Sequence, residues 1–115
     1  MPQPSHISAL GVPDPAMLDD DLKAIWQKCV EKLGFVPNVY ATYSKRPQRL
    51  RNFMAMYNEI MYAPSGLSKL EREMIAVAVS SQNRCYYCLV AHGAAVRALS
   101  GDPALGELID RKSVV

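Results

Sequence analysis

Two cysteines, one histidine and one glutamate stand at a spacing that can support redox chemistry. Cys85 and Cys88 are separated by two residues, and His92 follows four residues after Cys88. Glu73 precedes Cys85 by twelve positions. If a helix begins at Cys85, both thiols and the imidazole share one face of it. Thiols one helical turn apart can close a disulfide, but their usual spacing is too wide, so the first turn is expected to tighten.

This set of side chains predicts a two-cysteine redox cycle. A thiolate attacks peroxides and disulfides, and the pKa of a thiol falls at a helix N-terminus or beside an imidazolium. The first effect favours Cys85 as the attacking group, and the second favours Cys88, because His92 lies one turn above it. Glu73 can orient the imidazole or pass protons, as the third member of a nucleophile–base–orienter set. The second cysteine then converts a sulfenic acid into a disulfide.

Other functions remain open from the residues alone. The motif Cys-x-x-Cys-x-x-x-His supplies three ligands that suit zinc, and Glu73 could supply a fourth in a metal-binding structural domain. Structural zinc sites usually draw on two separated Cys/His pairs, however, and the other histidine, His6, stands far away in the sequence. The cysteine pair could also serve a redox-sensing or thiol–disulfide exchange module without peroxide turnover. An alternative interpretation of Glu73 is an ordinary solvated acid in the first turn of a helix, where it complements the helix dipole.

Composition restricts the class of protein. The chain of 115 residues fits one small domain, and 50% of its residues are hydrophobic, which is enough to build a core. A formal net charge of +2 is too small to indicate nucleic acid as a partner. Three cysteines do not match a secreted disulfide framework, and neither a signal segment nor a membrane-spanning run is visible. We therefore expect a cytoplasmic protein with no membrane partner, in which close cysteines are redox-active or metal-binding.

The elements that must position the motif are predicted to be helices. Residues 1–17 are proline-rich and are expected to form an N-terminal arm, and residues 18–115 an all-α domain. Apolar residues recur at helical spacing in six segments, near residues 19–33, 37–43, 47–62, 69–81, 85–99 and 104–110. Asp19–Asp21 and the capping box of Ser68 and Glu71 mark helix starts, and Gly34 marks an end.

The fourth segment is apolar nearly all round after Glu73, so we expect a central, buried helix. A carboxyl group at the edge of such a helix is poorly solvated, which favours proton exchange. In the fifth segment, Leu89, Val96 and Leu99 share the side of the thiols, which predicts a partly apolar cleft in front of the sulfurs.

Two further features have plain interpretations. Cys29 lies on the apolar stripe of the first helix and is predicted to be a buried small hydrophobic residue. A basic cluster at the start of the third helix is either a solvated face or a contact for an anion or an acidic partner. The cluster consists of Lys45, Arg46, Arg49 and Arg51.

The spacing Glu73-x11-Cys85-x-x-Cys88-x-x-x-His92 resembles the signature of the alkylhydroperoxidase D (AhpD) and carboxymuconolactone decarboxylase superfamily. The segments Leu-Ser-x-x-Glu-Arg-Glu and Asn-Arg-Cys-Tyr-Tyr-Cys resemble its peroxidase-related branch. Over residues 20–110, the resemblance implies an AhpD-like helical bundle with the Cys-x-x-Cys at the N-terminus of a helix. It implies a homo-oligomer with active sites near subunit contacts. It also implies peroxide reduction, with Cys88 peroxidatic, Cys85 resolving, and Glu73 and His92 as the proton relay.

The chain departs from this pattern in two respects. AhpD carries a further histidine immediately before its second cysteine, where this chain has Tyr87, and a phenol is a poor base near pH 7. A shorter relay or a weaker activity is therefore expected. Members of this branch usually continue with more helices, so the chain is expected to be a truncated form that ends at Val115.

The prediction is therefore a thiol-dependent peroxidase that uses no bound cofactor or metal. An apolar cleft would suit an organic hydroperoxide better than hydrogen peroxide. By analogy with the family, the reductant is expected to be a dithiol such as a lipoyl carrier protein. The decarboxylase branch of the superfamily lacks the cysteine pair, so decarboxylase chemistry is not expected.

Overall fold

The computed structural model describes residues 5–113, and side chains through Asp110. These residues form six α-helices and a short 3-10 helix at Pro15–Met17, with no strand among them. The α-helices are α1 (Asp20–Leu33), α2 (Asn38–Tyr43), α3 (Pro47–Tyr62), α4 (Lys69–Gln82), α5 (Tyr86–Ser100) and α6 (Leu105–Ser113). The all-α class predicted from the sequence is confirmed. Within residues 5–113, no helix has both the length and the apolar character needed to cross a membrane.

Local sequence signals set most helix ends. α1 begins at Asp20 and is closed by Gly34, whose φ of 82° is the left-handed conformation that glycine adopts without strain. α3 begins at Pro47, where the missing N–H costs nothing because the first helical position has no partner for it. The capping box of α4 is complete, since Ser68 Oγ accepts from the N–H of Glu71 and Glu71 Oε2 accepts from the N–H of Ser68.

The predicted N-terminal arm is described from residue 5, and residues 1–4 lie outside the described residues. Residues 5–17 contain no α-helix, and their one regular element is the 3-10 turn that Asp14 caps through the N–H of Ala16. The ammonium group of Lys45 donates to the carbonyl oxygen of Leu10. The arm is thus fastened to the link between α2 and α3.

Contacts divide the chain into two units, one up to Met56 and one from Tyr57, so that α3 contributes to both. The core of the first unit consists of Leu18, Leu22 and Leu50, with Ile25, Trp26, Tyr40 and Met54 packed around it. The indole N–H of Trp26 donates to the hydroxyl of Ser44 at 2.9 Å, and that hydroxyl donates to the carbonyl of Tyr40 at 2.6 Å. The buried polar groups at this position are therefore satisfied.

Cys29 lies buried in α1, as predicted. Burial raises the pKa of its thiol, which keeps the group protonated and unreactive at neutral pH. This cysteine therefore acts as a small packing residue.

The second unit is built on α4, against which α5 and α6 pack. Val77 of α4 and Val96 of α5 are fully buried in it. α5 and α6 approach closely through Gly93 and Gly106, since a Cβ on Gly106 would lie only 3.2 Å from the Cα of Gly93. The hydroxyl of Ser81 donates to the carbonyl of Asp110 at 3.1 Å and ties α6 to α4. The two glycines thus allow close contact between α5 and α6 at this point.

The expectation that α4 is buried all round is wrong. Ile75 and Val79 are 51% and 53% exposed, whereas Val77 is buried. The reason is that α5 and α6 cover only part of the circumference of α4 within this unit. One apolar face of α4 is left open, and this face belongs to the groove described below.

Candidate functional site

The cysteine pair stands at the start of α5 and is joined as a disulfide. Cys85 is the N-cap residue, with extended dihedral angles of −88° and 93°, and is not part of the helix itself. The Cα atoms of Cys85 and Cys88 are 5.3 Å apart, which lies in the range that disulfides adopt. Sequence reasoning expected a tightened helical turn at this position. The structure solves the spacing differently, by placing the first cysteine just outside the helix.

A short link brings Cys85 to this position. Asn83 caps α4, and Arg84 follows with a positive φ of 52°, which is uncommon for a residue other than glycine. The N–H of Cys85 then donates to the carbonyl of Ser80 at 3.0 Å. Backbone hydrogen bonds to the last turn of α4 thus hold this link in place. The link positions Cys85 next to Cys88.

Glu73 and His92 form the second pair of the site. Oε2 of Glu73 lies 2.6 Å from Nδ1 of His92, which is a short, charge-assisted geometry. Glu73 is only 6% exposed, so the alternative of a solvated acid in the first turn of α4 is excluded. The imidazole side chain is 20% exposed, so one side of the ring remains accessible. Neighbouring helices α4 and α5 therefore hold a carboxylate against an imidazole.

One member of each pair, Cys88 and His92, lies on α5, but the two pairs are not bonded to each other. His92 follows Cys88 by four residues, which places it one turn further along the same face. Among the residues that the structure describes, no hydrogen bond joins the imidazole to either sulfur. Because Nδ1 of His92 faces Glu73, Nε2 is the ring nitrogen left for exchange with another group. The structure thus gives two adjacent pairs, and the catalytic role of the four residues stays a prediction.

An open groove of about 390 Å³ borders His92 within the second unit. Its walls include the apolar side chains of Ile60, Leu67, Ile75 and Val79. It is large enough to take a small organic molecule in contact with the imidazole. Its lining comes from α3, α4 and the link between them, and α5 contributes His92.

The apolar cleft predicted in front of the sulfurs is wrong in one of its three expected wall residues. Val96 is fully buried and cannot line an open cleft, whereas Leu99 is 48% exposed. Cys85 and Cys88 are half-buried and do not line the groove beside His92. The groove that borders the imidazole takes its open apolar wall from α4, through Ile75 and Val79.

Arg72 is a structural residue of the site that sequence reasoning missed. It is 8% exposed, and its guanidinium donates to four oxygen atoms. The acceptors are the carbonyls of Ile60, Ala63 and Leu67 and the hydroxyl of Ser65. The first two lie at the end of α3, where the partial negative charge of a helix C-terminus favours a cation. The sequence offered one signal for this role, because the helix dipole disfavours a cation near the start of a helix and Arg72 stands near the start of α4.

The zinc alternative finds no support in the arrangement of the donors. Within the described part of the chain, no group of three or more His, Cys, Asp or Glu residues is placed to hold a metal ion. The two sulfurs are bonded to each other, and the carboxylate faces Nδ1 of the imidazole. The candidate ligands are therefore engaged in pairs and do not converge on one point.

Comparison with known proteins places this geometry in a family. The sequence pattern that defines the carboxymuconolactone decarboxylase family matches residues 47–104, about half of the chain. Among curated proteins, no significant match is found.

Three solved structures are similar over most of the chain. An uncharacterized peroxidase-related protein from Silicibacter is 54% identical with a TM-score of 0.84, and the match covers 95% of this chain and 56% of that one. The alkylhydroperoxidase AhpD core of Ralstonia eutropha, also described as an uncharacterized peroxidase-related protein, is 40% identical with a TM-score of 0.91 and coverages of 96% and 58%. An alkylhydroperoxidase AhpD core from Rhodospirillum rubrum is 30% identical, with a TM-score of 0.67 and coverages of 84% and 78%.

The chain spans a little more than half the length of the first two of these proteins. The family pattern covers the helices that carry Glu73, Cys85, Cys88 and His92. The likeness to AhpD cores extends over nearly the whole helical fold. On the agreement of motif, fold and family pattern, the chain belongs to the carboxymuconolactone decarboxylase superfamily and is one of its AhpD-like members.

Proposed function

We propose that the protein is a thiol-dependent peroxidase, which reduces hydroperoxides through a dithiol–disulfide cycle of Cys85 and Cys88. The observation that carries this proposal is the disulfide at the start of α5, one helical turn before an imidazole that is hydrogen-bonded to a buried carboxylate. The names of the similar structures, AhpD core and peroxidase-related protein, support the same class of chemistry.

The first step consumes the hydroperoxide. Cys88 is assigned as the attacking residue because His92 lies one turn above it, and its thiol proton passes to Nε2 of the imidazole. The thiolate sulfur then attacks the terminal peroxide oxygen, so that a sulfur–oxygen bond forms as the oxygen–oxygen bond breaks. The departing alkoxide takes a proton from the imidazolium and leaves as an alcohol. Glu73 stabilises the imidazolium between the two proton transfers, since its carboxylate faces Nδ1.

The second step closes the disulfide. The thiol of Cys85 attacks the sulfur of the Cys88 sulfenic acid, the sulfur–sulfur bond forms, and the hydroxyl group leaves as water. The two cysteines together have then lost the two electrons that the peroxide gained. A dithiol reductant, such as a lipoyl-bearing carrier protein, exchanges with this disulfide and restores both thiols. Both cysteines are half-buried, which leaves the disulfide within reach of such a reductant.

The groove beside His92 favours an organic hydroperoxide over hydrogen peroxide. Its lining includes four large aliphatic side chains, and burying the apolar part of a substrate against them is favourable by about 25 cal/mol per Å². Hydrogen peroxide has no apolar part and gains nothing from these walls. The apolar part of the molecule would lie in the groove, and its peroxide group would lie at the end beside His92, where Cys88 precedes the imidazole by one turn of α5.

We also propose that the working protein is a cytoplasmic homo-oligomer that needs no bound cofactor. The open apolar face of α4, with Ile75 and Val79 about half exposed, would be partly covered by a second copy of the chain. A reducing cytoplasm would keep the thiols available for the cycle.

One observation favours a second function, thiol–disulfide exchange without peroxide turnover. No hydrogen bond links the imidazole to a sulfur of the disulfide among the described residues, so direct activation of Cys88 by His92 rests on their spacing along α5 alone. A module of this kind would react with dithiols and disulfides, and would oxidise no faster with a hydroperoxide than with air.

The test is oxidation of the reduced protein by an organic hydroperoxide, followed by recycling with dihydrolipoamide. We expect turnover in the parent chain, its loss in Cys88→Ser, and a single unrecycled oxidation in Cys85→Ser. Cys29→Ala is the matched control, since Cys29 is buried and outside the site. If both Cys→Ser variants consume hydroperoxide as fast as the parent, the peroxidase proposal is wrong. Recycling without hydroperoxide-dependent oxidation would favour the exchange module.

A further inference from the structure

A second cavity, of about 380 Å³, lies in the first unit at the link between α2 and α3. Three of its lining residues are cations, Lys45, Arg46 and Arg49, and hydroxyl groups come from Ser8 and Thr42. Among the residues that the structure describes, no acidic side chain lines it. It shares no residue with the thiol site or with the groove beside His92.

The N-terminal arm builds one wall of this cavity. The N–H of Gly11 donates to the carbonyl of Ser8 at 2.9 Å, and the φ of 76° at Gly11 lets the chain turn there. The N–H of Leu10 donates to the hydroxyl oxygen of Ser8 at 3.2 Å. The carbonyl of Leu10 then accepts from the ammonium group of Lys45, which fixes the direction of that cation. One ammonium hydrogen is used in this way, and the others remain for a ligand.

The charges of the cavity are not balanced from within the described chain. The neighbouring cation Arg51 is neutralised, since it pairs with Asp19 at 2.8 Å and with Asp21 at 2.7 Å. By contrast, Arg46 and Arg49 form no ion pair among residues 5–110. Three cations on one cavity repel one another, and an anion between them would relieve this repulsion.

The chemistry of the lining group favours a phosphate ester over a carboxylate. Guanidinium groups bind phosphate oxygens through paired N–H donors, and an ammonium group acts as a point charge on phosphate. The N-terminus of α3, which begins at Pro47, contributes the positive end of its dipole. A phosphate monoester offers three oxygens and close to two charges, whereas a carboxylate offers two oxygens and one charge.

The cavity also has room for an organic group on the phosphate. Tyr43 and Leu10 line it as well, and the ring of Tyr43 is held by stacking on Phe53 at a centroid distance of 4.7 Å. We propose that this cavity is a binding site for a small phosphate monoester, held by Lys45, Arg46 and Arg49 with its organic group against Tyr43. Nothing in the thiol chemistry of the other unit requires such a site.

Phenyl phosphate is the probe, and binding is followed by calorimetry and by amide shifts in NMR. We expect saturable binding at one site per chain, weaker by roughly tenfold or more in Arg46→Gln and in Arg49→Gln, because each change removes charge-assisted hydrogen bonds to phosphate. Lys28→Gln is the matched control, since it removes one exposed charge from α1 away from the cavity, and it should leave the affinity unchanged. Benzoate, which has the same ring with a carboxylate, should bind more weakly than phenyl phosphate.

Three results would overturn the proposal. The first is the absence of saturable phenyl phosphate binding to the parent chain. The second is an equal loss of affinity in Lys28→Gln and in the arginine variants, which would mean attraction to net charge alone. The third is binding to phosphatidylglycerol vesicles without binding of phenyl phosphate, which would assign the cations to a lipid surface. All three variants alter exposed side chains, so their folding is checked by comparing far-ultraviolet circular dichroism with the parent.

Discussion

Replacing Glu73 with glutamine removes the charge beside His92 while the side chain keeps its shape. The Glu73 oxygen lies 2.6 Å from Nδ1 of His92, and the residue is 6% exposed, so little water is available to replace the lost charge. A hydrogen bond to a charged group contributes about 1.5–3 kcal/mol. Since about 1.4 kcal/mol corresponds to a tenfold change in rate, Glu73→Gln should slow oxidation by hydroperoxide about 10-fold to 100-fold.

The assay is single-turnover oxidation of the reduced protein by excess organic hydroperoxide. The loss of free thiols is monitored in a stopped-flow instrument. Glu59→Gln is the matched control, because Glu59 is an exposed acid on α3 and should leave the rate unchanged. Glu73→Leu removes the hydrogen bond as well as the charge and should be slower than Glu73→Gln. If Glu73→Gln folds normally and is oxidised within twofold of the parent rate, the carboxylate has no part in proton transfer.

Three further predictions concern stability, each measured by urea denaturation. Arg72→Leu should lower the free energy of unfolding by about 3 kcal/mol, because it removes a buried cation that donates to four oxygen acceptors. An effect below about 1 kcal/mol would show that these hydrogen bonds contribute little to stability. Gly34→Ala should lower the free energy of unfolding by about 1 kcal/mol through backbone strain alone, since the residue has a φ of 82° and open space around it. An unchanged free energy of unfolding would show that the left-handed cap is not required. A hydrogen bond from Arg51 lowers the pKa of Asp21 below its usual value, so ionised Asp21 stabilises the fold above about pH 4 and this contribution is lost as the pH falls through the lowered pKa. Arg51→Gln should therefore reduce the loss of stability on acidification below about pH 4, and an identical pH profile would refute this.

Helix boundaries were predictable because they depend on neighbours in the sequence. The start of α3 at Pro47, the capping box of Ser68 and Glu71, and the close of α1 at Gly34 each involve groups within four residues of one another. Such local contacts form independently of how the remainder of the chain packs.

Side-chain environments were predicted less well, because they depend on which helix covers which face. α4 reads as apolar nearly all round, yet Ile75 and Val79 are open while Val77 is covered by packing from the other helices of its unit. Arg72 looked like an ordinary polar residue near a helix start, and its burial follows from the carbonyls that α3 and the following link present to it. The sequence of α4 does not specify where α3 and α5 pack against it.

The sequence by itself determined the composition of the candidate site, its place at the start of a helix, and the pairing of two cysteines three positions apart. Proximity along the chain is sufficient for these, since the residues cannot move far from one another. Only the tertiary structure decided that Glu73 turns inward to His92, that the apolar groove borders the imidazole, and that the basic cluster lines a cavity together with Ser8 and Leu10 of the N-terminal arm. These features join residues that are distant in sequence or depend on burial, and burial is set by the packing of whole helices.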